Sequence, residues 1–138
     1  NSVEGAFDFS TIDFQLRQSA ERWEGGTLNF AGIHALGTSL ELLMEIGIDQ
    51  IENRIMELTD YLCEKASSQG LEVFSSREPG ERSTIVSLKL PGDVKVLVKR
   101  CRENGVVVNN RAGRLRVSPH CYNTTDELDK LLTLIERE

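Results

Sequence analysis

The sequence predicts an α+β fold in which helices pack on one face of a small, mainly antiparallel sheet. Three observations lead there. Apolar residues recur at intervals of three and four between Ile33 and Leu62, which is the period of helices with one buried face. From Leu71 the period shortens to that of strands. Gly47, Gly70, Pro91-Gly92 and Gly105 stand where one pattern stops and the next begins.

The first stretch holds Phe7, Phe9, Ile12, Phe14 and Leu16 at a spacing of two, which predicts an extended, half-buried arm. After it, Gly25-Gly26 permits a tight backbone path, and Thr27 and Asn29 are both candidate caps for the helix that follows. That helix carries Ile33, Leu36, Leu40, Leu43 and Met44 and is stopped by Gly47. A second helix presents Ile48, Ile51, Ile55, Leu58 and Leu62 and runs to about Gln69, where Gly70 ends it. Leu71–Phe74 and Thr84–Leu90 read as strands, separated by a turn-rich stretch containing Pro79-Gly80. Asp93 caps a third helix whose face is Val94, Leu97, Val98 and Cys101. Val106–Val108 and Arg114–Ser118 read as two further strands joined through Arg111-Ala112-Gly113. Thr124 with Glu127 three residues on forms a capping box for a last helix, whose Leu128, Leu131, Leu132 and Ile135 face inward. The predicted organisation is an arm over 1–28 and a domain over 29–138.

Composition narrows the function. A chain of 138 residues can bury about two-thirds of its unfolded surface, enough for a core without metal or disulfides. The net charge of -6 repels a phosphate backbone, so no nucleic-acid partner is expected. No apolar run reaches the roughly 20 residues of a membrane span and no secretory leader is visible, so the expected setting is the cytoplasm, without a membrane partner. Cys63, Cys101 and Cys121 are odd in number and lack CxxC spacing; the first two lie on apolar helix faces, as buried reduced thiols do. His34 and His120 stand at ligand spacing from no other donor, so no metal site is expected. Asn123-Thr124-Thr125 matches a glycosylation sequon that nothing else supports.

Two polar stretches exceed what packing requires. Gly25-Gly26-Thr27-Leu28-Asn29 precedes a helix, where free N–H groups and the positive end of the dipole attract phosphate; such starts are mostly plain caps, and spacing alone favours that reading. In Arg114–Ser118, residues 114, 116 and 118 share one strand face while Leu115 and Val117 share the other, so both guanidinium groups point away from the helices. An arginine on a rigid strand suits a bidentate grip on a carboxylate, but spacing alone favours a solvated face paired with nearby Glu. No nucleophile elbow, phosphate loop or dinucleotide fingerprint is present, and Lys65, Lys89, Lys95, Lys99 and Lys130 lack a buried polar setting.

At the same two stretches the chain resembles a known family. Arg22-Trp23-Glu24-Gly25-Gly26-Thr27-Leu28-Asn29-Phe30-Ala31-Gly32 is similar to the R-[FW]-E-x-G-T-x-N-x-x-G segment of class V pyridoxal-phosphate aminotransferases. Leu115-Arg116-Val117-Ser118-Pro119-His120-Cys121-Tyr122-Asn123-Thr124 resembles their [IL]-R-[VA]-S-x-x-x-Y-N-T motif, and Glu127-Leu128-Asp129 the E-[IL]-D after it. Glu41–Glu52 is typical of the isopenicillin-N-epimerase-like and selenocysteine-lyase-like members. The resemblance implies the carboxy-terminal small domain of a fold-type I enzyme, preceded by the end of a large domain. Its pyridoxal phosphate would be attached to a lysine, usually after a histidine, in that upstream domain. No His-Lys pair occurs here, so the chain alone is expected to be inactive and not to hold the cofactor.

By the same resemblance Thr27 contacts the cofactor phosphate, commonly in the neighbouring subunit of a homodimer, and Arg116 grips the α-carboxylate of an amino-acid substrate. Arg111 and Arg114 match no fixed family role and are expected to be solvated or ion-paired. Cysteine desulfurases place their nucleophilic cysteine on a longer loop ahead of the clamp arginine; here that connection is Arg111-Ala112-Gly113, and Cys121 follows the arginine, which disfavours sulfur abstraction and leaves transaminase, epimerase and lyase chemistry open. The rival reading from the residues alone is a free-standing, non-catalytic α+β ligand-binding or interaction module.

Overall fold

The computed structural model of the chain describes residues 2–10 and 14–136. It forms two compact units, Asn1–Glu45 and Ile46–Glu138.

In the first unit, Val3 and Leu16 make an isolated antiparallel bridge, flanked by Glu4 N–H donating to Gln15 O at 2.7 Å and Arg17 N–H to Ser2 O at 3.1 Å. The predicted half-buried arm is not formed: residues 4–7 are a turn, and Phe7, Phe9 and Phe14 are exposed. Ile12 lies outside the described residues. Alternation marks which side chains share a face, and burial still requires a partner surface, which this unit does not offer. A short 3-10 helix, Ala20–Trp23, was not foreseen. Helix α1, Phe30–Ile46, starts three residues before its first predicted apolar position, and none of its residues is buried.

Near the start of the second unit Gly47 has φ 94°, a left-handed conformation that sidechain-bearing residues rarely adopt and that separates α1 from α2, Ile48–Ser68. Along α2, Ile51, Ile55, Leu58, Leu62 and Ala66 are buried, whereas Ile48 at the first turn is exposed. Buried Thr59 is satisfied: its hydroxyl donates to Met56 O at 3.0 Å and accepts from Arg77. Asp60 pairs with both Arg77 and Arg82 and so ties the turn-rich 75–83 connection to α2.

Strands β1 (Glu72–Val73), β2 (Val86–Lys89), β3 (Asn109–Arg111) and β4 (Arg114–Val117) make one antiparallel sheet in the order β1-β2-β4-β3. Helices α3 (Val94–Glu103) and α4 (Thr125–Glu136) complete the unit. Val86, Leu88, Leu115 and Val117 from the sheet meet Leu58, Leu62, Leu97, Leu131 and Leu132 from the helices in a single core, which is the α+β arrangement expected. Both predicted caps form. Asp93 Oδ1 accepts from Lys95 N–H at 2.9 Å, and at α4 Glu127 N–H donates to Thr124 Oγ1 at 3.3 Å while Thr124 N–H donates to Glu127 Oε2 at 2.9 Å.

The strand predicted at Val106–Val108 instead lies at Asn109–Arg111. Ala112 and Gly113 both have positive φ, 50° and 76°, the sign pattern of a two-residue type I′ hairpin turn. Such a turn puts Arg111 opposite Arg114 and Asn109 opposite Arg116, so pairing is set by the turn and not by the valine run. Val108 is buried beside the strand start, and Val107 is exposed.

Candidate functional site

Thr27 and Arg116 lie in different units, and each is placed by its own local structure. Of the two candidate caps for α1, Asn29 takes the role: its Oδ1 accepts from Gly32 N–H at 3.0 Å, while its carbonyl accepts from Ile33 N–H at 2.9 Å. The absence of a side chain at Gly32 leaves room for this, since a Cβ there would stand 2.6 Å from the Asn29 amide nitrogen. Thr27 sits two residues before the cap, exposed, with no intramolecular hydrogen bond to its hydroxyl among the described residues. A helix start whose capping is already satisfied and whose preceding threonine keeps a free hydroxyl is chemically suited to an added anion. In the same stretch Arg22 lies over the Trp23 ring at 5.2 Å, and its Nε is buried without a partner. Sequence reading gave Arg22 no role beyond membership of the motif.

Arg116 occupies the middle of β4. Its neighbours Leu115 and Val117 are buried against the helices, so its side chain lies on the opposite face of the sheet. Across the ladder it is level with Ser87 on β2 and Asn109 on β3. It is half-buried, its Nε is inaccessible and has no hydrogen-bond partner, and no carboxylate pairs with it among the described residues. The ion pairs with nearby Glu that spacing alone allowed do not form at Arg111, Arg114 or Arg116 among the described residues, while Arg111 is exposed to solvent as expected. A buried guanidinium nitrogen lacking an acceptor costs about 1–3 kcal/mol or more, and the rest of the group, which is not buried, has the planar edge that suits a carboxylate.

Along the same face lie Arg114, whose guanidinium stacks 3.5 Å from the centroid of Phe74, and Arg111 directly opposite it. The reading of outward guanidinium groups holds for 114 and 116, but the stacking partner was not legible because Phe74 reaches Arg114 only through the β1-β2-β4 order. A cleft of about 360 Å³ opens elsewhere, lined by Val107, Ser118, Pro119, Tyr122, Glu127 and Lys130, and does not include Arg116.

The thiols behave as their settings dictate. Cys63 and Cys101 are buried, and burial pushes both thiol pKa values up, so neither is an activated nucleophile. Cys121, past the end of β4, is half-exposed with its Sγ 3.3 Å from His120 Nδ1. All five lysines are exposed. Among the described residues no cluster of His, Cys, Asp or Glu is placed to hold a metal, and no helix is long and apolar enough to cross a membrane.

Comparison with known proteins agrees on the family and differs on the reaction. The chain is 28% identical over 148 residues to a probable cysteine desulfurase of Methanothermobacter thermautotrophicus, covering 94% of the chain and 36% of that protein. To a kynureninase of Koribacter versatilis it is 28% identical over 111 residues, with 78% of the chain and 26% of the relative covered. The fold matches the apo structure of a cysteine desulfurase from Thermococcus onnurineus NA1 with a TM-score of 0.75 at 22% identity, over 90% of the chain and 34% of that structure. The chain thus spans about a third of the length of the relatives it matches. Residues 5–131 match the family described as aminotransferase class-V, and the chain belongs to that family.

Proposed function

We propose that this chain is the carboxy-terminal part of a pyridoxal-phosphate-dependent homodimeric enzyme acting on an amino acid, with Arg116 binding the substrate's α-carboxylate and Thr27 donating to the cofactor phosphate. The observation that carries the reading is Arg116, half-buried on the sheet face turned away from the core and paired with no carboxylate among the described residues. The cofactor supplies an electron sink for the bond broken at the substrate's α-carbon. Its attachment falls to a lysine outside these residues, as the resemblance implies, since no His-Lys pair occurs here and Lys89 is committed to Glu72 at 2.9 Å.

This chain's own part is binding and orientation. A guanidinium fixed by strand backbone on both sides holds a carboxylate in one plane, which sets the direction of the α-carbon bonds before any chemistry begins. Ser87 and Asn109, level with Arg116 on the adjacent strands, offer short polar side chains beside it without a competing charge. Sulfur abstraction is set apart because it needs a mobile thiolate at the substrate, whereas the β3–β4 connection is a two-residue turn with no cysteine. The reading spans transamination, epimerisation and lyase chemistry.

In the full-length enzyme Arg116→Gln should raise KM for every accepted amino acid by roughly tenfold to a hundredfold, the scale of a lost charge-assisted hydrogen-bond pair. Unchanged kinetics would remove Arg116 from the site. Thr27→Val should weaken retention of pyridoxal phosphate on dialysis, followed by the cofactor's visible absorbance; retention equal to that of the native enzyme would remove Thr27.

A further inference from the structure

We propose that Arg114, with Arg111 beside it, recognises a second carboxylate on the substrate, so that the enzyme prefers dicarboxylic amino acids such as aspartate or glutamate. The inference rests on Arg116 holding the α-carboxylate and adds the side-chain specificity of the same site.

The face of the sheet turned away from the helices carries Arg111, Arg114, Arg116 and Lys89 together with a single strand carboxylate, Glu72. That carboxylate is taken by Lys89 at 2.9 Å. The three arginines make no ion pair among the described residues, in a chain whose net charge is -6 and which has 22 acidic residues to draw on. Arg111 and Arg114 are also direct cross-strand partners, and like charges directly opposite each other in a ladder destabilise it. A fold that keeps two unneutralised cations facing each other beside a third is built to receive an anion.

Geometry then selects the kind of anion. Arg114 and Arg116 are two residues apart on one strand, so their side chains leave the same face about 7 Å apart. Arg114 is held by Phe74, whose ring lies 3.5 Å from the guanidinium carbon. Stacking fixes the guanidinium plane and leaves its N–H edges free, the presentation that suits a planar carboxylate in bidentate contact. Two guanidinium groups on one rigid strand, each offering an edge, match a molecule with carboxylates at both ends. A side-chain phosphate shares the anionic chemistry and is the competing occupant.

Specificity of the full-length enzyme tests this. The native enzyme should use glutamate or aspartate at least tenfold better in kcat/KM than the neutral isosteres glutamine and asparagine. Arg114→Gln should erase that preference by raising KM for the dicarboxylic substrate, while the constants for alanine stay within threefold; Arg111→Gln should act in the same direction to a smaller extent. A second readout is independent of cofactor: in the 138-residue chain, the Nε–H resonances of Arg114 and Arg116 should shift together on titration with glutarate, and Arg114→Gln should weaken the response at Arg116. No preference of the native enzyme for dicarboxylic substrates, loss of alanine use equal to that of glutamate in Arg114→Gln, or preference for O-phosphoserine over both acids overturns the proposal. Arg116→Gln separates the two readings: if it weakens alanine and glutamate alike while Arg114→Gln does nothing, only the second-carboxylate site fails, and if it affects no amino acid the underlying assignment fails with it.

Discussion

Arg116 and Glu127 show how the same kind of polar side chain serves opposite ends. Arg116 Nε is buried and left short of an acceptor, at a cost to the folded chain. Glu127 is fully provided for: Asn123 Nδ2 donates to its Oε2 at 3.0 Å and Thr124 N–H at 2.9 Å, and these two bonds hold its carboxyl pKa below the ordinary glutamate value. A folded-state pKa below the unfolded one means that the capping contribution is complete above the ordinary glutamate range and is lost as pH falls through the depressed value. Acid unfolding of the chain should therefore show a smaller stability loss in this window for Glu127→Gln than for the native protein. Circular dichroism melts from neutral pH downward check it, and identical acid limbs would show that the box contributes nothing measurable. Asn29 and Thr27 divide labour on the same logic, one closing the helix start and the other left with an unused hydroxyl.

Between β3 and β4 the element that matters is the two-residue turn. Ala112 holds φ at 50°, where its Cβ crowds the backbone at a cost of roughly 1–2 kcal/mol that Asn avoids in part by local hydrogen bonding. Ala112→Asn should stabilise the chain by about 0.5–1 kcal/mol, read from the midpoint of urea unfolding with an unchanged slope. A destabilisation would show that the turn does not set the register. That register places Asn109 beside Arg116 and Arg111 beside Arg114, so the turn positions the whole arginine face. Elsewhere the helices divide by cover: α2, α3 and α4 each bury an apolar stripe, whereas Ile33, Leu36, Leu40 and Met44 of α1 are exposed.

Across the molecule, stability is concentrated in Ile46–Glu138, which holds every residue of the core. Amide protection follows burial, because opening a helix that buries nothing exposes no new apolar surface. Hydrogen exchange of the 138-residue chain should accordingly leave α2, α4 and strands β2 and β4 protected longest, while α1 exchanges at least a hundredfold faster. Equal protection of α1 and α2 would show that the first unit has a source of stability other than its own packing.

Local order was legible in the sequence wherever a rule acts over a few residues. Helix periods, both helix caps and the inward pair Leu115 and Val117 follow from spacing, because period and capping depend only on neighbours within one turn or one pleat, whereas the motifs around Thr27 and Arg116 were legible only as a resemblance to the family. Three things needed the folded chain. The alternating phenylalanines of the first stretch found no surface to cover them, the third strand moved from Val106–Val108 to Asn109–Arg111 because a turn fixed the pairing, and Phe74 came to lie against Arg114 through strands distant in sequence. Each depends on which surfaces meet, and contacts between remote segments are set by the competition of the whole chain for burial and pairing, which no local pattern encodes.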